Sequence, residues 1–407
     1  MSYIKKAIRV TFLLFLLLSG TGIFQGSVWS ATKIVKIGFI TEETGYNFPI
    51  ALSQKKALEV GLEEINSSGG FLGKKVILII RDSGSKPEKG AALARDLILR
   101  ERVDFLLGPT SSEVALAVSR VAREHKKIIG FHASNGDKLT VEQGHRYLFQ
   151  VIPNTIMEGR ALAAFLSQKH FNKFALIGPD NEQGQSLAQA FKKRLSELNP
   201  GVQVVREVWT KSGEEDFSFS ISTIQSHPPD AIVAFLGSGD LARFLRQGRT
   251  AGLFPQVSLI GRFDYDLLKG LGTDMPPNLY GFDRAPFYAL SNPQMKAFLK
   301  KFRARSGEYP SAWAVTAYDG LMALKRAVEK AKSLETEKVI LALKGLQWDS
   351  LRGSLSLRPF DHQANSGIYF GLTKKDPRYS FYILKEITYS SGQDLWYTEE
   401  EIKALRK

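Results

Sequence analysis

The 407-residue chain contains no cysteine. Disulfides, thiolate metal sites, a cysteine nucleophile and a lipid-modified N-terminal cysteine are all excluded by that absence. Histidine is scarce too. The six residues, His125, His132, His145, His170, His227 and His362, form no i, i+3 or i, i+4 pair, so the ligand spacing of a metal centre is missing. Neither a GxSxG elbow, a GxxxxGK[ST] phosphate loop, a GxGxxG fingerprint nor an HExxH pair occurs. The glycines of "SSGGFLGKK" miss the phosphate-loop spacing and read as a turn that ends a helix and opens a strand. No catalytic residue, metal or cofactor is expected. Beyond the first thirty residues there is no long apolar run and no Gly/Ser linker or low-complexity stretch.

The first thirty residues read as a secretory signal, cleaved near Ser30 or Ala31. Lys5, Lys6 and Arg9 give a positive start, "VTFLLFLLLSG" an apolar stretch and "SVWSA" the small residues of a cleavage site. The apolar stretch is shorter than the roughly 20 residues that span a bilayer; a retained anchor is the rival reading. Removal of the three basic residues lowers the formal charge from +14 to +11. The surplus is scattered through "SQKK", "AFKKRLSEL" and "KKFRAR" and is not gathered into a block with aromatics, which argues against nucleic acid as a partner. About 377 residues remain, enough for two lobes that hold by burial alone.

From residue 33 short β-branched runs alternate with longer amphipathic stretches, the rhythm of βα units that build a parallel sheet. "KIVKIGFI", "KKVILIIRD", "VDFLLG" and "KKIIGF" form a first series. After "LFQVIPNT" the rhythm restarts with "KFALIG", "VQVVREVW", "DAIVAFLG" and "VSLIG", with helices expected at 184–199, 214–226 and 239–251. A third section, 278–345, adds the strand "NLYGFDRAPF" and the long helix "AWAVTAYDGLMALKRAVEKAKS". From 353 the chain turns to short alternating segments, "GSLSL", "SGIYFGL" and "YSFYILKEI". The expected class is α/β, with two similar lobes, each a parallel-type sheet flanked by helices, and a cleft between them.

Loops at the carboxyl ends of parallel strands are where such sheets bind ligands. In "LLGPTSSEVALAVSRVA" a strand ends at Gly108-Pro109, and Thr110, Ser111 and Ser112 open a helix. Unpaired amides and the helix dipole suit a small anion there; Ser111 or Ser112 serves equally to cap its own helix. "KIIGFHASNGDKLT" repeats the form with His132, Ala133, Ser134 and Asn135. "LIGPDNEQGQSLAQAF", "AFLGSGDLARFLRQGRTAGL" with Ser238, and "LIGRFDYDLL" are the matching loops of the second series.

The order and spacing of "VKIGFITEETG", "ALEVGLEEINSSGGFLGKKV", "RDSGSKPEKGAALARDLI", "VDFLLGPTSSEVALAVSRVA", "FSFSISTIQSHPPDAIVAFLGSGDLARFLRQGRTAGL" and "AVTAYDGLMALKRAV" resemble the leucine/isoleucine/valine-binding type of periplasmic solute-binding protein of ABC transporters. The resemblance implies the type I periplasmic binding fold with three hinge crossings, near 152, 281 and 350. Its lobes would comprise 31–151 with 282–349, and 152–281 with 350–407. It implies a periplasmic monomer that closes on a small carboxylate, a branched-chain or other amino acid or an aromatic acid, and delivers it to a membrane permease. Ser112 falls where members use a serine hydroxyl. Ala133 and Asn135 fall where backbone and a Thr-like side chain meet the ligand carboxylate, with Ser134 between them. Gln183 stands where amino-acid binders often carry tyrosine. Phe263 takes the place of the acid that holds an α-ammonium, with Asp264 one residue on. Tyr46, Phe48 and Phe263 suit an aromatic or apolar acid, or else pack the lobes, while Arg262 suits a second anionic group. Two other functions compete. One is a ligand-sensing subunit for a receptor kinase or chemoreceptor. The other is an exported hydrolase pairing His132 with Ser112 or Ser134.

Overall fold

In the computed structural model, residues 34–255 and 257–406 are described; the signal segment lies outside them. Two sheets and their helices form one compact unit. The first sheet has the order β2-β1-β3-β4-β5 and is parallel throughout. Its strands are β1 (Val35–Thr41), β2 (Val76–Asp82), β3 (Phe105–Leu107), β4 (Ile129–Phe131) and β5 (Leu148–Gln150). Their near-continuous apolar character follows from cover on both faces. That cover comes from α1 (Phe48–Ser67), α2 (Pro87–Leu99), α3 (Ser112–Glu124) and, from far along the chain, α10 (Ala312–Ala331), with α9 (Pro293–Ser306) packed on α1 and α11 (Thr336–Leu343) on α10. Helix α10 packs along α1 and buries most of its surface, as its nearly all-round apolar sequence requires.

The second sheet has the order β14-β13-β10-β9-β8-β6-β7. β6 (Lys173–Pro179), β7 (Gln203–Thr210), β8 (Ala231–Ala234), β9 (Ser258–Arg262) and β10 (Tyr280–Asp283) are parallel. β13 (Ile368–Lys374) and β14 (Ile383–Ser390) add an antiparallel edge, the structural form of the alternating tail. The helices are α4 (Thr155–Leu166), α5 (Glu182–Leu198), α6 (Ser218–Gln225), α7 (Ser238–Thr250), α8 (Tyr265–Leu271) and, near the end, α12 (Glu399–Leu405). A hairpin, β11 (Gln347–Ser350) with β12 (Gly353–Ser356), packs on α10. Here Asp319 of α10 accepts from Leu351 N at 2.8 Å and from Arg352 Nε at 2.7 Å. The chain passes between the sheets three times, at 151–154, 284–292 and 357–367.

In each sheet the strand order reverses once, between β1 and β3 in the first and between β6 and β8 in the second. A crevice opens at the carboxyl ends of the strands at such a switch. Four loops lie there: 42–47, 108–111, 180–181 and 235–237. No helix among the described residues is long and apolar enough to cross a membrane.

Candidate functional site

Two amides just ahead of α3 already have an acceptor. Glu42, fully buried just after β1, takes Thr110 N on Oε2 at 3.0 Å and Ser111 N on Oε1 at 3.1 Å. Burial pushes its pKa up against the lowering effect of those two bonds. Ser111 caps the helix through Val114 N. The local sequence leaves the amides of this helix start open to an external carboxylate; an internal one holds those of Thr110 and Ser111. Glu42 was legible as an acid directly after an apolar strand, in "FITEETG".

The hydroxyls of this loop and the next stitch the two together. Ser112 Oγ accepts from Gly136 N at 3.1 Å, and Ser134 Oγ donates to the carbonyl of Pro109. Ala133 is buried in a small cluster with Ile152, Trp313 and Ile50.

Asn135 faces the second lobe. Gln183 Nε2 donates to its Oδ1 at 2.6 Å, and its own Nδ2 donates to Glu158 Oε2 at 3.1 Å. A second bridge joins Tyr46 to Asp240 near the start of α7, with the phenol donating to Oδ2 at 3.1 Å. Gly237 permits it, because a Cβ there would strike the Tyr46 hydroxyl. Tyr46 is otherwise half exposed, and Phe48 is 44% exposed at the start of α1, so the ring of Phe48 is not enclosed between the lobes. Phe263 is also displaced from its expected role. Strand alternation turns it to the sheet face opposite Arg262, where it is fully buried and packs on the bare backbones of Gly261 and Gly281. Asp264, beside it, accepts from Ser238 Oγ at 2.7 Å and caps α8 through Leu267 N at 3.1 Å.

A further group was not legible as one. β9 and β10 pair in parallel with Arg262 opposite Phe282. Arg284, two residues beyond, therefore shares a face with Arg262 at the carboxyl end of the sheet. Both reach Trp313, on α10 of the other lobe: the guanidinium carbons lie 5.2 Å (Arg262) and 4.6 Å (Arg284) from its ring centroid. Arg284 is 1% exposed. Its Nε pairs with Glu158. Its Nη1 and Nη2, together with Arg262 Nε and Trp313 Nε1, have no hydrogen-bond partner among the described residues. Burial, then the charge of Arg284, lowers the pKa of Arg262; Asp264 is 3.6 Å from its Nε.

His132 does not join a catalytic pair. It is fully buried, lies against Phe39 with ring centroids 5.8 Å apart, and neither ring nitrogen has a partner among the described residues. Desolvation pushes its pKa down to about 3, which removes the proton affinity a general base needs near neutral pH. Ser112 and Ser134 spend their hydroxyls on the backbone, as above.

A family model for periplasmic binding proteins matches residues 34–377. The Leu/Ile/Val-binding protein homolog 1 of Brucella suis is 28% identical over 324 residues, 79% of this chain and 84% of that one. Among solved structures, a solute-binding protein of an ABC transporter from Rhodopseudomonas palustris BisB5, in complex with 3,4-dihydroxybenzoic acid, superposes with a TM-score of 0.81 at 22% identity. It covers 88% of this chain and 98% of its own. A branched-chain amino acid transporter substrate-binding protein of Streptococcus pneumoniae, in complex with isoleucine, gives 0.77 at 20% identity, covering 88% and 100%. The fold is the type I periplasmic binding fold, and the chain belongs to the periplasmic binding protein family.

Proposed function

We propose that this protein is the extracytoplasmic solute receptor of an ABC transporter, which closes its lobes on a small carboxylate and hands it to a membrane permease. The observation that carries the reading is the meeting of strand-end loops from both sheets. Gln183 reaches Asn135, Asp240 receives Tyr46, and the guanidiniums of Arg262 and Arg284 lie over the ring of Trp313. Closure of this kind removes a ligand from water and meets its polar groups from two sides. The three chain passages, 151–154, 284–292 and 357–367, would act as the pivots. Relatives bearing names for leucine, isoleucine and valine binding, and a structural neighbour holding a dihydroxybenzoate, support an amino acid or an aromatic acid as the cargo. No turnover is assigned to the site, because neither ring nitrogen of its buried histidine is hydrogen-bonded to a serine among the described residues.

The test is thermal unfolding of the mature chain against branched-chain amino acids, aromatic amino acids, aromatic carboxylates, dicarboxylates and small amides. A ligand that binds the folded state alone stabilises by mass action, about 2.7 kcal/mol at a hundredfold excess over Kd. The expected result is a rise of several degrees with at least one carboxylate. No shift with any acid in the panel overturns the proposal.

A further inference from the structure

We infer that the ligand's anionic group is read at the lobe boundary by Arg262 and Arg284 together with the indole of Trp313. The inference rests on the receptor reading above and concerns which residues give that receptor its selectivity. Two independent observations converge on it. Glu42 takes the amides of Thr110 and Ser111 just ahead of α3, which leaves fewer donors at that loop for an incoming carboxylate. Meanwhile four buried N–H groups at the lobe boundary lack acceptors: Arg284 Nη1 and Nη2, Arg262 Nε and Trp313 Nε1.

These four are donors only, because neither a guanidinium nor an indole can accept a hydrogen bond. A group that offers only acceptors, an oxyanion, satisfies such a set; an ammonium has nothing to donate to and is repelled by two guanidiniums. The nearby acceptors are engaged. Glu158 serves Arg284 and Asn135, and Asp264 serves Ser238 and the α8 cap. Asp283, at the end of β10, is buried and accepts from Ala285 N. A planar carboxylate matches the fork of a guanidinium in a way a lone ammonium or hydroxyl does not. The preferred cargo is therefore an acid without an α-ammonium, such as an aromatic monocarboxylate or dicarboxylate. Arg262 comes from the lobe that also carries Gln183, Arg284 from the start of the 284–292 passage and Trp313 from the other lobe, so the anion is met from both sides.

Isothermal titration of the mature chain with benzoate, terephthalate, leucine and benzamide tests this, in the wild type and in two variants. Arg284→Lys keeps a cation beside Glu158 but removes the free fork. Arg262→Gln removes the second cation without disturbing the Glu158 pair. Each should weaken the best-bound carboxylate roughly 10- to 100-fold, the loss expected for a charge-assisted bond, while the unfolding temperature in the absence of ligand shows that the variant is folded. In the wild type, benzoate or terephthalate should bind more tightly than leucine, and benzamide should bind at least tenfold more weakly than benzoate. Two folded variants that bind the carboxylate as the wild type does overturn the assignment of these arginines while leaving the receptor reading intact. Tighter binding of leucine than of either aromatic acid overturns it as well. Failure of every acid to bind the wild type instead removes the receptor reading itself.

Discussion

Replacement of His132 by phenylalanine should flatten the acid limb of the stability curve. The imidazole is fully buried against Phe39 and makes no hydrogen bond among the described residues, so nothing offsets the desolvation of its charged form. Its pKa falls from 6.5 to about 3. Because the folded value is depressed, the unfolded chain takes up a proton below pH 6.5 that the folded chain refuses. Stability is complete above 6.5 and is lost as the pH falls toward 3. At about 1.36 kcal/mol per pH unit, roughly 3 kcal/mol disappears by pH 4.5 on account of this residue alone. The larger ring of His132→Phe costs a pH-independent amount, about 1–3 kcal/mol for overpacking beside Gly320. That offset cancels when slopes are compared, as do the contributions of His145 and His362, which remain in both proteins. Urea unfolding followed by tryptophan fluorescence at pH 7, 6, 5 and 4.5 gives the two curves. They should converge by about 3 kcal/mol on acidification. Parallel curves would mean that His132 is protonated in the folded chain, and the case against a histidine general base would fall with them.

Other consequences can be measured on the same protein. Asp283 has the opposite sign: burial and the charge of Asp264 raise its pKa from 3.8 to about 7, so the stability of its protonated form is present below 3.8 and is lost as the pH rises to 7. Asp283→Asn should therefore gain on the wild type by up to about 4 kcal/mol between pH 4 and 7.5, read as a widening difference in Tm. Gly237→Ala places a methyl against the Tyr46 hydroxyl and breaks the bridge to Asp240; ligand affinity by calorimetry should drop roughly tenfold with little change in ligand-free Tm. Arg352→Met removes the partner of Asp319, both side chains being at most 2% exposed. An unpaired buried carboxylate costs about 3–5 kcal/mol, visible as a lower urea midpoint; part of the shift should be recovered in the double variant Arg352→Met with Asp319→Leu, the remainder reflecting the lost partners of Leu351 N and the Val151 carbonyl.

Much of the fold is legible because buried parallel strands are apolar without interruption. "KKVILIIRD" and "KFALIG" announce β2 and β6, and the Ser111 cap marks where α3 begins, whereas α5 starts at Glu182, two residues ahead of the expected 184. The β11–β12 hairpin is half hidden, since "QWDS" alternates polar and apolar residues over four positions and carries little signal. The candidate site divides along the same line. Glu42 sits directly after a strand, a local signal that the reading of the loops passes over. Arg262, Arg284 and Trp313 carry no such signal, because they are brought together by the register of β9 on β10 and by the packing of a helix from the other lobe, neither of which leaves a local spacing. Phe263 misleads for a related reason: counting residues from the strand places it at the loop, whereas strand alternation turns its ring into the core and leaves the lobe-boundary face to its neighbour Arg262.

The central claim is that the lobes close on a carboxylate. Calorimetric titration of the mature chain with 3,4-dihydroxybenzoate and with the corresponding uncharged amide tests it most directly, since the two differ only in the group the protein is held to recognise. The account predicts micromolar binding of the acid, about −8 kcal/mol, and at least tenfold weaker binding of the amide. Equal affinities for the two would contradict it.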